Sequence, residues 1–242
     1  MANIALIIAG GRGNRMGQDL PKQFLSVDDK PIIMYTCEAF QSHPLIDAIV
    51  IVCIDGWQTA LEAYAHQFNI TKLCGIVSGG SNGQESIRNG LEFLSSTFSR
   101  DDIVLVHDAI RPMISHEIIS HCIEDTREFG TSIVAIPCAE AMLEIDDADA
   151  LRASSRAVID RDSLKRTQTP QGFPLGTLLD LHEDARKQGI TNSVASCTLA
   201  IELGRSVHFT PGSEKNIKLT TLDDIDIFKA LLGAERASWL KG

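Results

Sequence analysis

Short runs of β-branched and other apolar residues alternate along this chain with longer amphipathic stretches, and the alternation leaves few folds open. The series begins with NIALIIAG, PIIMYTCEAFQSH, DAIVIVCI and WQTALEAYAHQF. It continues with LCGIVSG, a helix expected from about Gln84 to Ser96, DIVLVHD, a helix from about Ser115 to Phe129, and TSIVAIP. Strands so apolar need cover on both sides. The pattern therefore predicts an α/β fold with a largely parallel central sheet and helices on both faces. Ligands of such sheets bind at the carboxyl ends of the strands.

The alternation lapses between about Cys138 and Arg166, where the acid-rich EIDDADALRASSRAV sits between two candidate short strands. This stretch reads as a projecting β-arm, with Asp146, Asp147 and Asp149 in a solvated loop. The pattern resumes with PLGTLLDLHEDARKQG, a helix ended by Gly189, then RSVHFTPG, NIKLTT and a final helix from about Leu222 to Leu232. Asp223 and Asp224 favour the start of that helix electrostatically. Nothing Pro- or Ser-rich divides the 242 residues and no repeat stands out, so a single domain over 1–242 is expected, with 138–166 as an arm within it.

The formal net charge of −10 excludes a broad nucleic-acid surface, because polyanions are held by a basic stripe. Any anion bound here must be met by a local cluster of cations. The six cysteines, Cys37, Cys53, Cys74, Cys122, Cys138 and Cys197, show no C-x-x-C spacing, and several lie in apolar runs. They read as reduced thiols. A strand begins almost at the N-terminus, without a signal-peptide pattern, and no apolar stretch nears the roughly 20 residues that span a bilayer. A cytoplasmic protein without a membrane partner is expected.

The stretch LIIAGGRGNRMGQDLPKQF, Leu6 to Phe24, breaks an apolar run into glycines and then into Arg15 and Lys22. It is not a Walker loop, since Lys22 follows Pro21 and precedes Gln23. Nor is it the dinucleotide fingerprint, because Met16 stands where the third glycine is needed. What remains is a glycine-rich turn whose backbone N–H groups can nest a phosphate while two cations neutralise it. A tight strand-to-helix turn with solvated basic residues is the plainer alternative.

AGGRGNRM together with PKQF resembles the nucleotide-binding signature of the sugar-phosphate and polyol-phosphate cytidylyltransferases. That family contains the 2-C-methyl-D-erythritol 4-phosphate and ribitol-5-phosphate cytidylyltransferases. Further landmarks agree in order: GGSNGQESI from Gly79, VHDAIRP from Val106, Asp160-Arg161, TPQGF from Thr169 and NIKLTT from Asn216. The resemblance implies a Rossmann-like nucleotidyltransferase fold of the glycosyltransferase-A type, with CTP and a sugar-alcohol phosphate as substrates, Mg²⁺ as cofactor and a homodimer joined through the arm.

Residue by residue, it implies that Ala9, Gly10, Gly11, Gly13, Arg15 and Lys22 hold the triphosphate, with Met16 in the same nucleotide loop. Gly80, Ser81 and Ser86 would hold the cytidine. Asp108 would be the metal ligand, and Ala109 would meet the nucleotide through its backbone. Arg161, Thr169 and Lys218 would face the acceptor's phosphate. Arg15, Lys22 and Lys218 would be the catalytic cations.

The chemistry suits these residue types. A phosphate monoester that attacks an α-phosphorus is already an anion at neutral pH, so no proton-abstracting base is needed. Catalysis then rests on positioning and on stabilising added negative charge. Accordingly His107 reads as a structural hydrogen-bonding residue and Arg111 as a brace for Asp108.

Departures from the family pattern gather on the acceptor side: Gly83 where relatives usually carry arginine, Ala141 where a threonine is expected, and Val194-Ala195 in place of Thr-Asp. Ser193, Ser196 and Thr198 could supply hydrogen bonds instead. AGG rather than AAG, and DKPIIMYTCEAF after PKQFLSV, favour the ribitol-phosphate branch. The methylerythritol-phosphate branch, a uridylyl- or guanylyltransferase on the same scaffold, and a nucleotide-binding regulator without catalysis are the competing readings.

Overall fold

The computed structural model describes residues 1–11, 20–146 and 154–238. Its first strand, β1 (Asn3–Ala9), is buried along almost its whole length because it lies inside the sheet between two parallel neighbours, β4 (Ala48–Cys53) and β6 (Ile103–Asp108). Before β4 come a single helical turn at Lys22–Phe24, the short antiparallel pair β2 (Ser26–Val27) and β3 (Lys30–Pro31), and helix α1 (Ile32–Ser42). Then α2 (Gln58–Gln67), β5 (Leu73–Ser78) and α3 (Gly83–Ser95) lead to β6. Helix α4 (His116–Phe129) and β7 (Ser132–Pro137) follow.

The arm is the antiparallel pair β8 (Met142–Glu144) and β9 (Ala157–Ile159). The chain returns through β10 (Lys165–Pro174) to α5 (Leu175–Gln188), α6 (Ser196–Glu202), β11 (Phe209–Pro211) and α7 (Leu222–Ser238). The seven-stranded sheet runs β11-β7-β10-β6-β1-β4-β5. All neighbours are parallel except β10, which is antiparallel to both β6 and β7. The expectation of a mostly parallel sheet with helices on both faces holds.

Side chains alternate across the strands, so each strand feeds two cores. Ala5, Ile7, Ile49 and Ile51 pack with Met34, Phe40 and Ile119 under α1 and α4. Ile4, Leu6, Val50 and Val52 pack with Leu91, Leu178 and Leu199 under α3, α5 and α6. Local signals set the helix ends. The Asn82 side chain accepts from Glu85 N at 2.9 Å to start α3, and Gly130 (φ 78°) and Gly189 (φ 71°) end α4 and α5 in the left-handed region where glycine is unstrained. The six cysteines are free thiols, and burial pushes Cys37, Cys53 and Cys122 up to about 12.

Three local expectations change. NIKLTT is a loop instead of a further strand: Leu219 N donates to Ile110 O at 2.9 Å, pinning the loop beneath the end of β6. RSVHFTPG supplies only the three residues of β11. Helix α6 goes unread in the sequence, where it is short and follows Val194-Ala195. Its first turn is capped from within, Ala195 N donating to Thr198 Oγ1 at 2.9 Å. Helix α7 starts where expected, with the Asp224 carboxylate accepting from Thr220 N and Thr221 N at 2.7 and 2.8 Å, and runs on to Ser238.

The arm carries its apolar side chains outward, Leu143 being 57% and Val158 79% exposed. Asp146 N donates to Ser154 O at 2.9 Å in the loop beyond the paired strands, while Asp147 and Asp149 lie outside the described residues. No helix among the described residues is long and apolar enough to cross a membrane.

Helix α3 reaches the sheet closely only because Gly90 has no side chain. A Cβ there would stand 2.6 Å from Leu6 Cδ1 and 2.9 Å from Val52 Cγ2. Gly90→Ala should therefore destabilise the fold by ~1–3 kcal/mol despite alanine's better helix propensity, as chemical denaturation would measure.

Candidate active site

Parallel packing brings the carboxyl ends of β1 and β6 side by side, and a cavity of about 920 Å³ opens above them. Ala9, Gly10 and Gly11 enter it from the end of β1, and Lys22 from the helical turn that follows. Gly80, Ser81 and Ser86 come from the turn before α3 and its first residues, Asp108 and Ala109 from the end of β6, and Lys218 from the 216–221 loop. The sequence-predicted nucleotide residues thus converge, apart from Gly13, Arg15 and Met16, which lie outside the described residues.

The walls are held by hydrogen bonds that leave little slack. Gln23, buried within PKQF, donates from Nε2 to Ala9 O at 2.8 Å and to Gly11 O at 3.1 Å, so the second half of the signature clamps the first. Sequence reasoning assigned Gln23 no role, although its place beside Lys22 was the available signal. At Gly10 a Cβ would come within 3.0 Å of Ser86 Oγ, which shows how closely the end of β1 approaches α3. Ser86 Oγ accepts from Gly80 N at 3.0 Å and donates to Asn82 O at 2.8 Å, folding the GGSN turn onto the helix. Ser81 turns its N–H, at 2.7 Å, and its hydroxyl onto Glu85 Oε2. Those bonds, with Arg88 nearby, hold the Glu85 carboxyl below its ordinary range.

Asp108 is the electrostatic centre. Its Oδ2 accepts from Arg111 Nε at 3.0 Å and its Oδ1 from Lys218 Nζ at 3.1 Å. Burial alone would raise its pKa, but the two cations outweigh burial and keep it ionised. Arg111 also donates from Nη1 to Asn216 O at 2.7 Å, bracing Asp108 and the 216–221 loop together. Behind them His107 Nε2 donates to Arg111 O at 3.2 Å, which makes Nδ1 the acceptor from the Thr169 hydroxyl at 3.0 Å. Thr169 Oγ1 in turn accepts from Asp108 N at 3.0 Å. Burial pushes His107 down to about 4, so the imidazole is neutral with both nitrogens engaged, and it serves as structure.

Ala109 lines the cavity with its N–H on Ile8 O at 3.1 Å and its carbonyl accepting from the Thr36 hydroxyl at 2.9 Å. Gly83 opens α3 with nothing within 4 Å of its missing Cβ, so the space beside it is open.

Lys218 also lines a second cleft of about 270 Å³, with Arg111, Arg166, Gln168, Asn216 and Thr220. Arg166 and Gln168 stand just ahead of TPQGF and were not singled out in the sequence. Arg161, by contrast, sits in the turn after β9, exposed, with Nη1 donating to Ala139 O at 2.7 Å, and it borders neither this cleft nor the larger cavity. Ala141 begins the arm and Val194 is 92% exposed.

Residues 3–234 match the family model described as IspD: 2-C-methyl-D-erythritol 4-phosphate cytidylyltransferase. The chain belongs to this family. It is 41% identical over 230 residues to the ribitol-5-phosphate cytidylyltransferase of Lacticaseibacillus paracasei, covering 94% of this chain and 97% of that one. It is 35% identical to the 2-C-methyl-D-erythritol 4-phosphate cytidylyltransferase of Clostridium acetobutylicum, covering 95% and 97%. A crystal structure of a 4-diphosphocytidyl-2C-methyl-D-erythritol synthase superposes with a TM-score of 0.78 at 26% identity, over 96% of this chain and 99% of that one. The Rossmann-like nucleotidyltransferase fold of these enzymes is the fold found here.

The buried imidazoles of this IspD-family chain give it a definite acid response. His107 and His182 are both pushed down to about 4, chiefly by burial. Each binds a proton more weakly folded than unfolded, so stability is complete above about pH 6.5 and declines as pH falls toward 4. At about pH 5 the expected loss is ~2 kcal/mol per imidazole. Urea titrations at about pH 7.5 and about pH 5 should show this drop, and His107→Asn should show a smaller one although it is less stable at both.

Proposed function

We propose that this chain transfers CMP from CTP to ribitol 5-phosphate or a closely similar polyol phosphate, releasing pyrophosphate and a CDP-polyol. The observation that carries the reading is the position of Lys218. It lines both the large cavity, whose glycine turns suit a nucleotide, and the smaller cleft, where Arg111 and Arg166, the latter paired with Glu214 at 3.4 Å, offer donors to a second anion. A cation between two anionic substrates relieves the repulsion that otherwise limits their approach. The higher identity to a ribitol-5-phosphate enzyme than to a methylerythritol-phosphate enzyme supports the choice of acceptor.

In this mechanism the acceptor's phosphate oxygen attacks the α-phosphorus, and the α–β bridging oxygen leaves with pyrophosphate. Lys22 and the Gly10-Gly11 turn hold the triphosphate. Arg15 joins them on the strength of the family signature. Lys218 faces the oxygens that gain charge, and no side chain needs to take a proton from the nucleophile.

Asp108 suits a magnesium ion. It is an ionised carboxylate bordering the cavity, and magnesium usually takes one or two carboxylates and fills its remaining positions with water and substrate phosphate. Such an ion would supply Lewis-acid stabilisation of phosphate charge. Lys22→Ala should lower turnover about a hundredfold at saturating CTP, the usual effect of removing ~3 kcal/mol of transition-state stabilisation, and pyrophosphate release measures it. Near-native turnover would remove Lys22 from the mechanism.

The arm supports a homodimer. Two short strands with outward Leu143 and Val158 gain cover from a second subunit, and Arg161 beside them would then face that subunit's acceptor cleft. Light scattering should report a dimer at micromolar concentration. Arg161→Ala should raise the KM for the polyol phosphate with little change in that for CTP. A cytoplasmic location, where CTP is available, fits this reading.

The second reading, methylerythritol-phosphate cytidylyltransferase, is favoured by the family model's own description. A panel of polyol phosphates separates the two. Ribitol 5-phosphate should win, and a wide margin for 2-C-methyl-D-erythritol 4-phosphate would replace the first reading with the second. Failure of every acceptor with every nucleoside triphosphate would instead favour a regulator without catalysis.

A further inference from the structure

The PKQF half of the nucleotide signature folds into a single helical turn, Lys22–Phe24, which is too short to hold itself. No side chain among the described residues caps it, and its own backbone bonds run from Phe24 N to Pro21 O at 2.9 Å and from Leu25 N to Lys22 O at 3.2 Å. Its position is therefore set from outside. Gln23 provides one anchor through Ala9 O and Gly11 O. The other is the Phe24 ring, itself buried, on which the indole of Trp57 stacks with ring centroids 4.5 Å apart and planes 22° from parallel.

Trp57 is held in turn by the end of β4 and the start of α2. Ile54 N donates to Ala9 O at 3.1 Å, so the carbonyl that Gln23 grips from one side is gripped by the end of β4 from the other. Gly56, in the left-handed region at φ 85°, turns the chain back, and Trp57 N donates to Ile54 O at 3.3 Å as α2 begins. Gln58 locks this turn, its Oε1 accepting from Gly56 N at 2.9 Å and its Nε2 donating to Ser78 Oγ at 3.1 Å, at the end of β5. Asp55 of the same loop lines the large cavity with Lys22 and Gln23, whereas Trp57 stands behind the wall. The indole thus bears on the cavity through Phe24 and not by touching what the cavity holds.

We propose that Trp57 is a positioning residue for nucleotide binding: stacked on Phe24, it fixes the Lys22–Phe24 turn against the end of β1 and so keeps Lys22 at the cavity. The inference rests on the reading of Lys22 as a triphosphate-binding cation. A lysine carried by an unanchored turn would have to be ordered each time a nucleotide arrives, and that lost entropy would be subtracted from binding. The stack orders the turn beforehand, because rigid rings lose few rotamers and prefer one offset geometry. An aliphatic side chain at position 57 would cover the same core without holding the Phe24 ring in that geometry. Aromaticity, and not bulk, is what the role requires.

Calorimetric titration of the full-length protein with CTP and magnesium tests this in a double-mutant cycle of Trp57→Leu and Lys22→Ala. Trp57→Leu should raise the Kd for CTP at least about fivefold in the native background and less than about twofold in Lys22→Ala, where no charge is left to position. Trp57→Phe should return the Kd to within about twofold of native, a rescue that a need for bulk alone would not produce, since phenylalanine is nearer leucine than tryptophan in volume. Circular dichroism confirms each fold, and Trp57→Met takes the place of the leucine variant if that one is unstable. An unchanged Kd in Trp57→Leu, an equal rise in both backgrounds, or no rescue by phenylalanine overturns the inference and leaves Lys22 in its role. An unchanged Kd in Lys22→Ala instead overturns the reading of Lys22, and the positioning role with it.

Discussion

The site depends on one ionised carboxylate at the end of β6. Asp108 is held between Arg111 and Lys218, and each of those cations belongs to a different layer of the site. Arg111 fastens the 216–221 loop through Asn216 O, and Lys218 extends from that loop between the two clefts. Behind the carboxylate, the Thr169 hydroxyl and the neutral His107 imidazole tie the backbone at Asp108 to β10. A carboxylate so placed near the interior is tolerable only because paired charges outweigh its desolvation. Its neighbours are consequently fixed, and Lys218, which borders both clefts, has a defined resting position.

The nucleotide side is organised by close approach. Gly10 and the Gly79-Gly80 pair let the end of β1 and the end of β5 approach the start of α3, and Ser86 and Gln23 use their side chains to hold the exposed turns. These polar side chains are consumed by the protein's own backbone, so the turns present a rigid cradle without paying ordering entropy on binding. The same logic applies to Ser81 and Glu85, which form the wall between the large cavity and the small one lined by Arg88 and His182.

The side proposed for the acceptor is looser. Ala141 is at the base of an exposed two-stranded arm, Val194 faces solvent, and Arg161 rests on Ala139 O away from both clefts. Arg166 and Gln168 on β10 stand beside Lys218 in the smaller cleft. Under the proposed reaction, substitutions on that side would change which hydroxylated tail is preferred more than whether phosphoryl transfer occurs.

Much of this was legible from local sequence. Continuous β-branched apolar runs and glycine-terminated amphipathic stretches determined the sheet, the helices and the two-faced core, because burial and backbone preference act over a few residues. The described residues of AGGRGNRM, PKQF, VHDAIRP and NIKLTT likewise meet around one cavity, with Asp108 and Lys218 paired at its edge. What the sequence did not disclose depends on residues far apart in the chain. The reversal of β10 between β6 and β7, the burial that neutralises His107, the clamp of Gln23 on Ala9 O and Gly11 O, and the meeting of Arg88 with His182 all follow from packing. Tertiary structure alone decided them, because desolvation and hydrogen-bond geometry depend on which side chains come within a few ångströms, and no local pattern specifies that.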